Sequence, residues 1–187
     1  MNILDDKEFY EALQNINKTS EHLSNTIDDF RNFFSPNKEM NKFYVSQLIK
    51  KSKDLIKSRF DKFNIKVIEN IDDIEILSYQ NELFQVILNL FSNSIDVLSS
   101  NEIEDKIIHI KIYQDENNLC IEFLDNGGGI KDEFINRVFE PYFTTKHKSQ
   151  GTGIGLYMSQ EIMIKHIGGT IGVFNEKYTY KDEDFTG

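Results

Sequence analysis

The order of helical and strand patterns predicts an α+β fold, and three observations carry this prediction. Residues 5–35 repeat apolar side chains in alternating steps of four and three, which is the seam of one long helix. Residues 80–99 carry a wide apolar stripe at helical spacing. Residues 106–114 and 119–124 alternate apolar and polar side chains, as two paired strands do. A helical arm followed by mixed strands and helices favours α+β over a doubly wound sheet.

Because the residue before a proline is pushed out of the helical region, the first helix is predicted to end at Ser35. Its seam consists of Phe9, Leu13, Ile16, Leu23, Ile27, Phe30 and Phe34, with Ser20 in the one polar slot. A second helical pattern covers residues 43–62. Strands are predicted at 64–69 and 75–79.

The part of the chain after the hairpin is rich in loops. Its predicted elements are a glycine-rich loop at 125–129, a short helix at 132–138, a loop at 140–153, a helix at 154–167 and a strand at 170–174. The pair Gly168-Gly169 is a signal for the end of a helix. The tail at 175–187 is polar and acidic, and we find no internal repeat.

Composition excludes several classes of function. The chain has 187 residues, 39% apolar and 28% charged, which is typical of a globular protein. Its net charge of −10 argues against a non-specific nucleic-acid or anionic-membrane binder, because both need a positive field. A single cysteine, Cys120, rules out an intrachain disulfide and a cysteine-based zinc site. No apolar run approaches the length of a membrane span.

Asn89 and Asn93 form the first motif with chemical meaning. They lie four residues apart on one helix face and interrupt an apolar stripe. In isolation, two amides satisfied by backbone groups would explain this spacing. The functional alternative is a magnesium and phosphate site, because an amide oxygen is a hard neutral ligand for a cation whose charge is balanced by phosphates.

The second motif is the glycine-rich loop Asp125–Ile130, directly after an apolar strand. Asp-Asn-Gly is also a plain turn signal. In the functional interpretation, the carboxylate accepts a hydrogen bond from an exocyclic amine, and the glycines let the backbone approach a flat ring.

Two further motifs follow, at 139–146 and at 151–156. The first, Phe-Glu-Pro-Tyr-Phe-Thr-Thr-Lys, would in isolation be read as aromatics that anchor a loop to the core. The second, Gly-Thr-Gly-Ile-Gly-Leu, opens a helix whose free N–H groups can bind an anion. It is not a Walker A loop, because no Gly-Lys-Ser/Thr follows.

In this order, the four motifs resemble the N, G1, F and G2 boxes of the histidine-kinase catalytic ATP-binding domain, of the GHKL superfamily. The resemblance covers about residues 60–175, and residues 26–34 resemble the second helix of the dimerisation region. It implies a partial dimerisation helix at 1–38 and an ATP-binding domain at 39–187. The implied fold is a Bergerat-type α/β sandwich, a mixed sheet covered on one side by three helices.

The resemblance also implies a role for each motif residue. Asn93 would ligate Mg²⁺, with Asn89 beside it near the phosphates. Asp125 would accept a hydrogen bond from the adenine amino group, and Gly127 and Gly129 would shape the base pocket. The other implied nucleotide contacts, which include the anchors of a mobile lid at 142–152 and the glycines before the last helix, are Ile130, Phe139, Phe143, Thr144, Thr145, Lys146, Gly151, Thr152, Gly153, Ile154, Gly155 and Leu156.

Such a chain would bind ATP or ADP with Mg²⁺ and no nucleic acid. The parent protein would transfer the γ-phosphoryl group to a histidine and on to the receiver domain of a response regulator. Helix 5–35 would form a homodimer as part of a four-helix bundle. The phosphoacceptor box is absent, so we expect this chain alone to bind ATP without autophosphorylating. This portion is expected in the cytoplasm, with or without a membrane anchor elsewhere in the parent.

Two departures from the family pattern and two alternatives remain. Asp96 stands where some relatives carry a basic phosphate contact, and the family's closing strand would begin near Gly187. One alternative is a GHKL ATPase of the gyrase, mismatch-repair or heat-shock type, which uses a carboxylate four residues before the metal-binding Asn. Asn89 stands there, and an amide cannot accept a proton near pH 7. The other alternative is a degenerate ATP-binding module that serves only for interactions. A measured ATP affinity would distinguish this module from a working ATP-binding domain.

Overall fold

The structure is a computed structural model that describes residues 9, 13, 14, 16, 39–116, 118–146, 151–180 and 183–186. Its helices and strands, in chain order, are β1 (Asn41–Tyr44), α1 (Val45–Phe63), β2 (Ile65–Ile71), β3 (Glu75–Ser78), α2 (Gln80–Ser100), β4 (Lys106–Asp115), β5 (Asn118–Asp125), α3 (Asp132–Ile135), α4 (Gly155–Ile162), β6 (Lys177–Tyr180) and β7 (Glu183–Thr186). A short π-helix, Met163–Ile167, continues α4.

Strand β4 is the centre of a mixed three-stranded sheet. It pairs in parallel with β2, where Ile68 lies opposite His109, and antiparallel with β5, where Ile110 lies opposite Phe123. Its alternating residues Ile108, Ile110 and Ile112 are fully buried, because the pleat turns them all toward the helices. The predicted pair of alternating strands is therefore confirmed.

The helices form one layer over this sheet, with α2 in the middle and α1 and α4 packed on either side of it. Phe91 of α2 is fully buried and makes edge-to-face contacts with Phe60 of α1 and Phe123 of β5, with ring centroids 5.5 and 4.9 Å apart. Because the apolar stripe of α2 faces the sheet and α1, its polar residues lie at the edge of the helical layer. The predicted α+β sandwich with a mixed sheet and three helices is confirmed.

Short elements account for most of the differences from the sequence prediction. Strand β1 pairs antiparallel with β3, and β6 with β7, and neither β1 nor the β6–β7 hairpin was predicted. The predicted strand at 170–174 is wrong: the segment has no regular structure, although Ile171 and Val173 are half-buried between exposed neighbours. The segment lies on the surface with this alternation but without ladder hydrogen bonds, and Gly172 gives it no side chain to pack.

Of the predicted helix at 5–35, the structure describes only Phe9, Leu13, Gln14 and Ile16, all helical and exposed. The rest of that helix, and the predicted domain boundary between residues 38 and 39, lie outside the described residues or are not tested by them. Among the described helices, none is long and apolar enough to cross a membrane.

Candidate functional site

The polar face of α2 forms one side of the candidate site. Ser92 and Asn93 lie three and four residues after Asn89, and Asp96 lies three residues after Asn93, so all four share a helix face. The Nδ2 atom of Asn89 donates a hydrogen bond to Ser159 Oγ of α4 at 2.8 Å. The Nδ2 atom of Asn93 is buried and has no hydrogen-bond partner among the described residues. The fold thus bonds the Nδ2 atom of Asn89 but leaves that of Asn93 without a partner among the described residues.

The start of α4 lies directly against this face. A Cβ atom on Gly155 would stand 2.3 Å from Asn89 Oδ1, so only glycine lets the two helices approach this closely. Thr152 Oγ1 accepts the Ile154 N–H at 3.3 Å, just before the helix begins. The first N–H groups of α4 have no acceptor within the helix, as at any helix N-terminus. The structure thus brings the Asn89 and Gly155 motifs into contact.

Asp125, the last residue of β5, is held beside α2 by its neighbours. Its carboxylate accepts the Gly127 N–H at 3.0 Å and a hydrogen bond from the Ser94 side chain. Burial raises the pKa of the Asp125 carboxyl, and these two hydrogen bonds only partly offset the rise. A Cβ on Gly127 would meet Val97 Cγ1 of α2 at 2.3 Å, so the loop runs against the helix. Gly129 has a φ of +75°, which favours glycine.

Asn126 anchors the glycine-rich loop to the sheet. Its buried side chain accepts the Ile107 N–H at 2.8 Å and donates to the Asp105 carbonyl at 2.6 Å. At the other end of the loop, Asn175 accepts the Ile130 N–H at 2.7 Å and donates to the Ile130 carbonyl at 2.6 Å. The sequence analysis missed both anchors. An asparagine beside a glycine loop is the only signal it could have used for Asn126, and nothing marks Asn175.

The aromatic segment packs on itself and on the second glycine motif. Phe143 lies 5.6 Å from Phe134 and under the Arg137 guanidinium, which is 4.5 Å from the ring centroid. The Tyr142 N–H donates to the Gly153 carbonyl at 2.9 Å, which joins the two motifs. A Cβ on Gly151 would lie 3.0 Å from Thr144 Oγ1.

Other residues of the predicted nucleotide contacts lie in or near this segment. Phe139 is half-buried, Thr145 is exposed, and Leu156 is half-buried in the first turn of α4. The Lys146 ammonium bonds to Asp96 at 2.8 Å. Residues 147–150 of the predicted lid lie outside the described residues.

All four sequence motifs therefore converge on α2. The first motif lies on this helix, and Asp125 and Gly127 contact its Ser94 and Val97. The second glycine motif contacts its Asn89, and the aromatic segment reaches its Asp96 through Lys146. Residues up to 66 positions apart along the chain thus line one connected surface (Asn89 to Gly155).

A mixed sheet under three helices, with motif residues gathered on the central helix, is the architecture of a histidine-kinase-type ATP-binding domain. The chain belongs to the family described as "Histidine kinase-, DNA gyrase B-, and HSP90-like ATPase", whose sequence model matches residues 78–186, more than half of the chain. The predicted family is thereby confirmed, and the match supports ATP as the nucleotide.

Individual relatives agree with this assignment. Sporulation kinase E of Bacillus subtilis is 32% identical over 127 residues, 67% of this chain and 16% of that protein. This chain thus corresponds to about a sixth of that relative's length. The nucleotide-free catalytic domain of the histidine kinase ThkA is 25% identical with a TM-score of 0.62, over 79% of this chain and 92% of that one. ThkA in complex with the response regulator TrrA shares the fold, at 19% identity and a TM-score of 0.69, over 100% of this chain and 51% of that one.

Proposed function

We propose that this chain is the ATP-binding catalytic part of a sensor histidine kinase and that it holds Mg-ATP along the polar face of α2. The contact between Gly155 and Asn89 carries the proposal. It sets the N-terminus of α4 against a helix face that presents two amides, one of them unbonded at Nδ2. Helix N-terminal N–H groups suit phosphate oxygens, and an amide oxygen suits a cation already shared with phosphates.

Asp125 would bind the adenine end. Its carboxylate is fixed by the Gly127 N–H and the Ser94 side chain, and it retains lone pairs for a further donor such as an exocyclic amine. The left-handed Gly128 and Gly129, with φ of +97° and +75°, have no side chains to obstruct a flat ring. Ile130 would be kept in place beside the base by its two bonds to Asn175.

Asn93 would hold Mg²⁺, and the residues present fit that ion. The Nδ2 atom of Asn93 is buried without a partner among the described residues, so no protein hydrogen bond at that atom fixes the orientation of this amide. The described residues contain no group of three or more His, Cys, Asp or Glu that could hold a metal ion. One protein ligand suffices for Mg²⁺ when phosphates and water supply the others. The ion would neutralise charge on the phosphoryl group being transferred.

For the whole protein, we propose transfer of the γ-phosphoryl group to a histidine and then to a response-regulator aspartate. The support is the family match, together with a relative named as a sporulation kinase and the ThkA structure solved with a response regulator. This activity uses ATP and a response regulator, so we place this part in the cytoplasm. The chain alone is expected to bind ATP without labelling its own histidines.

We also propose that the helix at 5–35 pairs with a second copy of the chain. Three residues of its predicted seam are described, and Phe9, Leu13 and Ile16 are 52%, 41% and 60% exposed. Burying each such side chain stabilises an assembly by roughly 1.5–3 kcal/mol. The double variant Leu13→Glu plus Ile16→Glu should therefore sediment as a monomer where the native chain is a dimer. Gln14→Glu, exposed on the same helix but off the seam, is the control and should leave the dimer intact.

Calorimetry with ATP and Mg²⁺ tests the nucleotide site. Asp125→Asn should lose a hydrogen bond to a charged acceptor, worth about 1.5–3 kcal/mol, which is about 10- to 150-fold in Kd. Asp115→Asn, an exposed carboxylate at the far end of β4, is the matched control and should bind ATP as the native chain does. Equal ATP affinity for the Asp125 variant and the native chain would contradict the assignment of the base pocket.

A further inference from the structure

Asp96 holds two cations that come from different parts of the chain. One oxygen of its carboxylate accepts the Arg59 Nη2 at 2.8 Å, and the other accepts the Lys146 Nζ at 2.8 Å. Arg59 also donates from Nη1 to Ser92 Oγ at 3.0 Å. One carboxylate on α2 thus links α1 to the segment that follows the aromatic motif.

This cluster lies next to the proposed phosphate site. Asp96 stands three residues after Asn93 and seven after Asn89, on the same face of α2. The side chains of Asp96 and Lys146 are 33% and 27% exposed, so their interaction is only partly screened by water. A polyphosphate bound along this face would attract Lys146 and would therefore compete with Asp96 for its ammonium group.

The two cations are held unequally. Arg59 makes two hydrogen bonds to α2 through a planar group with fixed donors, whereas Lys146 makes one through a flexible stem. If the Lys146 ammonium broke its bond to Asp96 and bound a phosphate instead, Asp96 would still be paired with Arg59. No uncompensated carboxylate would remain, so the release of Lys146 would cost little free energy.

We propose that Asp96 is a competing counter-ion, which holds Lys146 in the nucleotide-free protein and gives it up to the phosphates of ATP. The proposal rests on the function proposed above. Asp96 then lowers ATP affinity by the free energy needed to break the Lys146 pair, while Arg59 keeps the carboxylate in place. Asp96 is a positioning residue in this scheme, because it acts on the nucleotide through Lys146.

A double-mutant cycle measured by calorimetry with Mg-ATP tests the proposal. Asp96→Asn should bind ATP about two- to fivefold more tightly, which corresponds to a partly exposed ion pair. Lys146→Met should bind ATP more weakly. In the Lys146→Met background, Asp96→Asn should bring no gain in affinity, because the competition no longer exists. Asp96→Ser must change the affinity in the same direction as Asp96→Asn.

The matched control is Glu69→Gln, which breaks the ion pair between Lys53 and Glu69. That pair has an N–O distance of 2.7 Å and similar exposures of 28% and 34%, and neither residue belongs to the four motifs. It should leave ATP affinity unchanged. Thermal unfolding of every variant checks that each one is folded.

Each outcome has a definite meaning. Equal or weaker ATP binding by folded Asp96 variants would overturn the proposal. A gain that persists without Lys146 would also overturn it, because it would show plain repulsion between Asp96 and ATP. If the native chain itself binds no ATP, the proposed function fails, and this inference fails with it.

Discussion

The backbone contact between Gly153 and Tyr142 allows a quantitative test of how the aromatic segment and the second glycine motif are held together. Gly153 has a φ of +66°, and a Cβ there would lie 2.5 Å from the Tyr142 carbonyl carbon and 2.7 Å from the Phe143 oxygen. Because these neighbours are backbone atoms, no side-chain rotation can relieve the contact. Gly153→Ala combines the penalty of the left-handed region, about 1–2 kcal/mol, with an overpacking penalty of about 1–3 kcal/mol.

The reduced entropy of the unfolded chain offsets about 0.4–1 kcal/mol of this loss. We therefore expect Gly153→Ala to lower the free energy of unfolding by about 1–4.5 kcal/mol, measured by urea denaturation. Gly168→Ala is the matched control, because Gly168 has a φ of +77° but nothing within 4 Å of its Cβ position. Without the contact, its loss should not exceed about 1.5 kcal/mol. The difference between the two variants measures the backbone contact itself.

Hydrogen exchange at the Tyr142 amide gives a second reading, because this N–H is bonded to the Gly153 carbonyl. If the contact between Gly153 and Tyr142 opens locally before the chain unfolds, this amide should exchange faster in Gly153→Ala and at the native rate in Gly168→Ala. A Gly153 variant as stable as the Gly168 variant, with native exchange at Tyr142, would refute the reasoning.

Substitutions at Asp125, Gly155 and Asn126 each test one contact of the site. Burial raises the Asp125 pKa above its ordinary 3.8, so the ionised carboxylate destabilises the fold at pH 7. Asp125→Asn should therefore unfold at a higher urea concentration than the native chain at pH 7, and this difference in stability should shrink as the pH falls toward 3.8. A difference that stays constant with pH would contradict this prediction. Gly155→Ala should displace the Asn89 amide from Ser159, costing about 1 kcal/mol of stability together with ATP affinity, and unaltered calorimetry would exclude that contact. Asn126→Ala should lose about 1–3 kcal/mol in urea melts, since it leaves the buried Ile107 N–H without its acceptor; a loss below 1 kcal/mol would mean that water replaces the amide.

Elements with a clear apolar pattern were predictable from the sequence, whereas some short strands were not. The helix predicted at 80–99 is found at Gln80–Ser100, because one wide apolar stripe decides both its type and its burial. Strand β1 has only four residues, and Phe43 alone among them is buried, which is too little pattern to detect. At 170–174 the alternation is real but no described strand pairs with it, and a sequence pattern cannot show whether a partner strand exists.

The same limit applies to the site. Motifs such as Asn89-x-x-x-Asn93 are local, and their spacing alone indicates a shared helix face. The cluster of Arg59, Asp96 and Lys146 joins three segments that are distant along the chain, so no local pattern indicates it. The resemblance pointed to Asp96 as a departure, and the geometry shows two cations gathered at that position.

The two neighbours of β4 also bear on the order in which the chain folds. Its antiparallel partner β5 follows it directly, whereas β3 and α2 lie between it and its parallel partner β2. Contacts near in sequence form quickly and distant ones slowly, so we expect the β4–β5 hairpin to form early and the β2–β4 pairing late. Asp125 ends the hairpin, but Asn93 lies on the helix of the slow crossover. A nucleotide that needs both residues would bind only the completed fold, and would therefore protect the chain against unfolding without speeding its early steps.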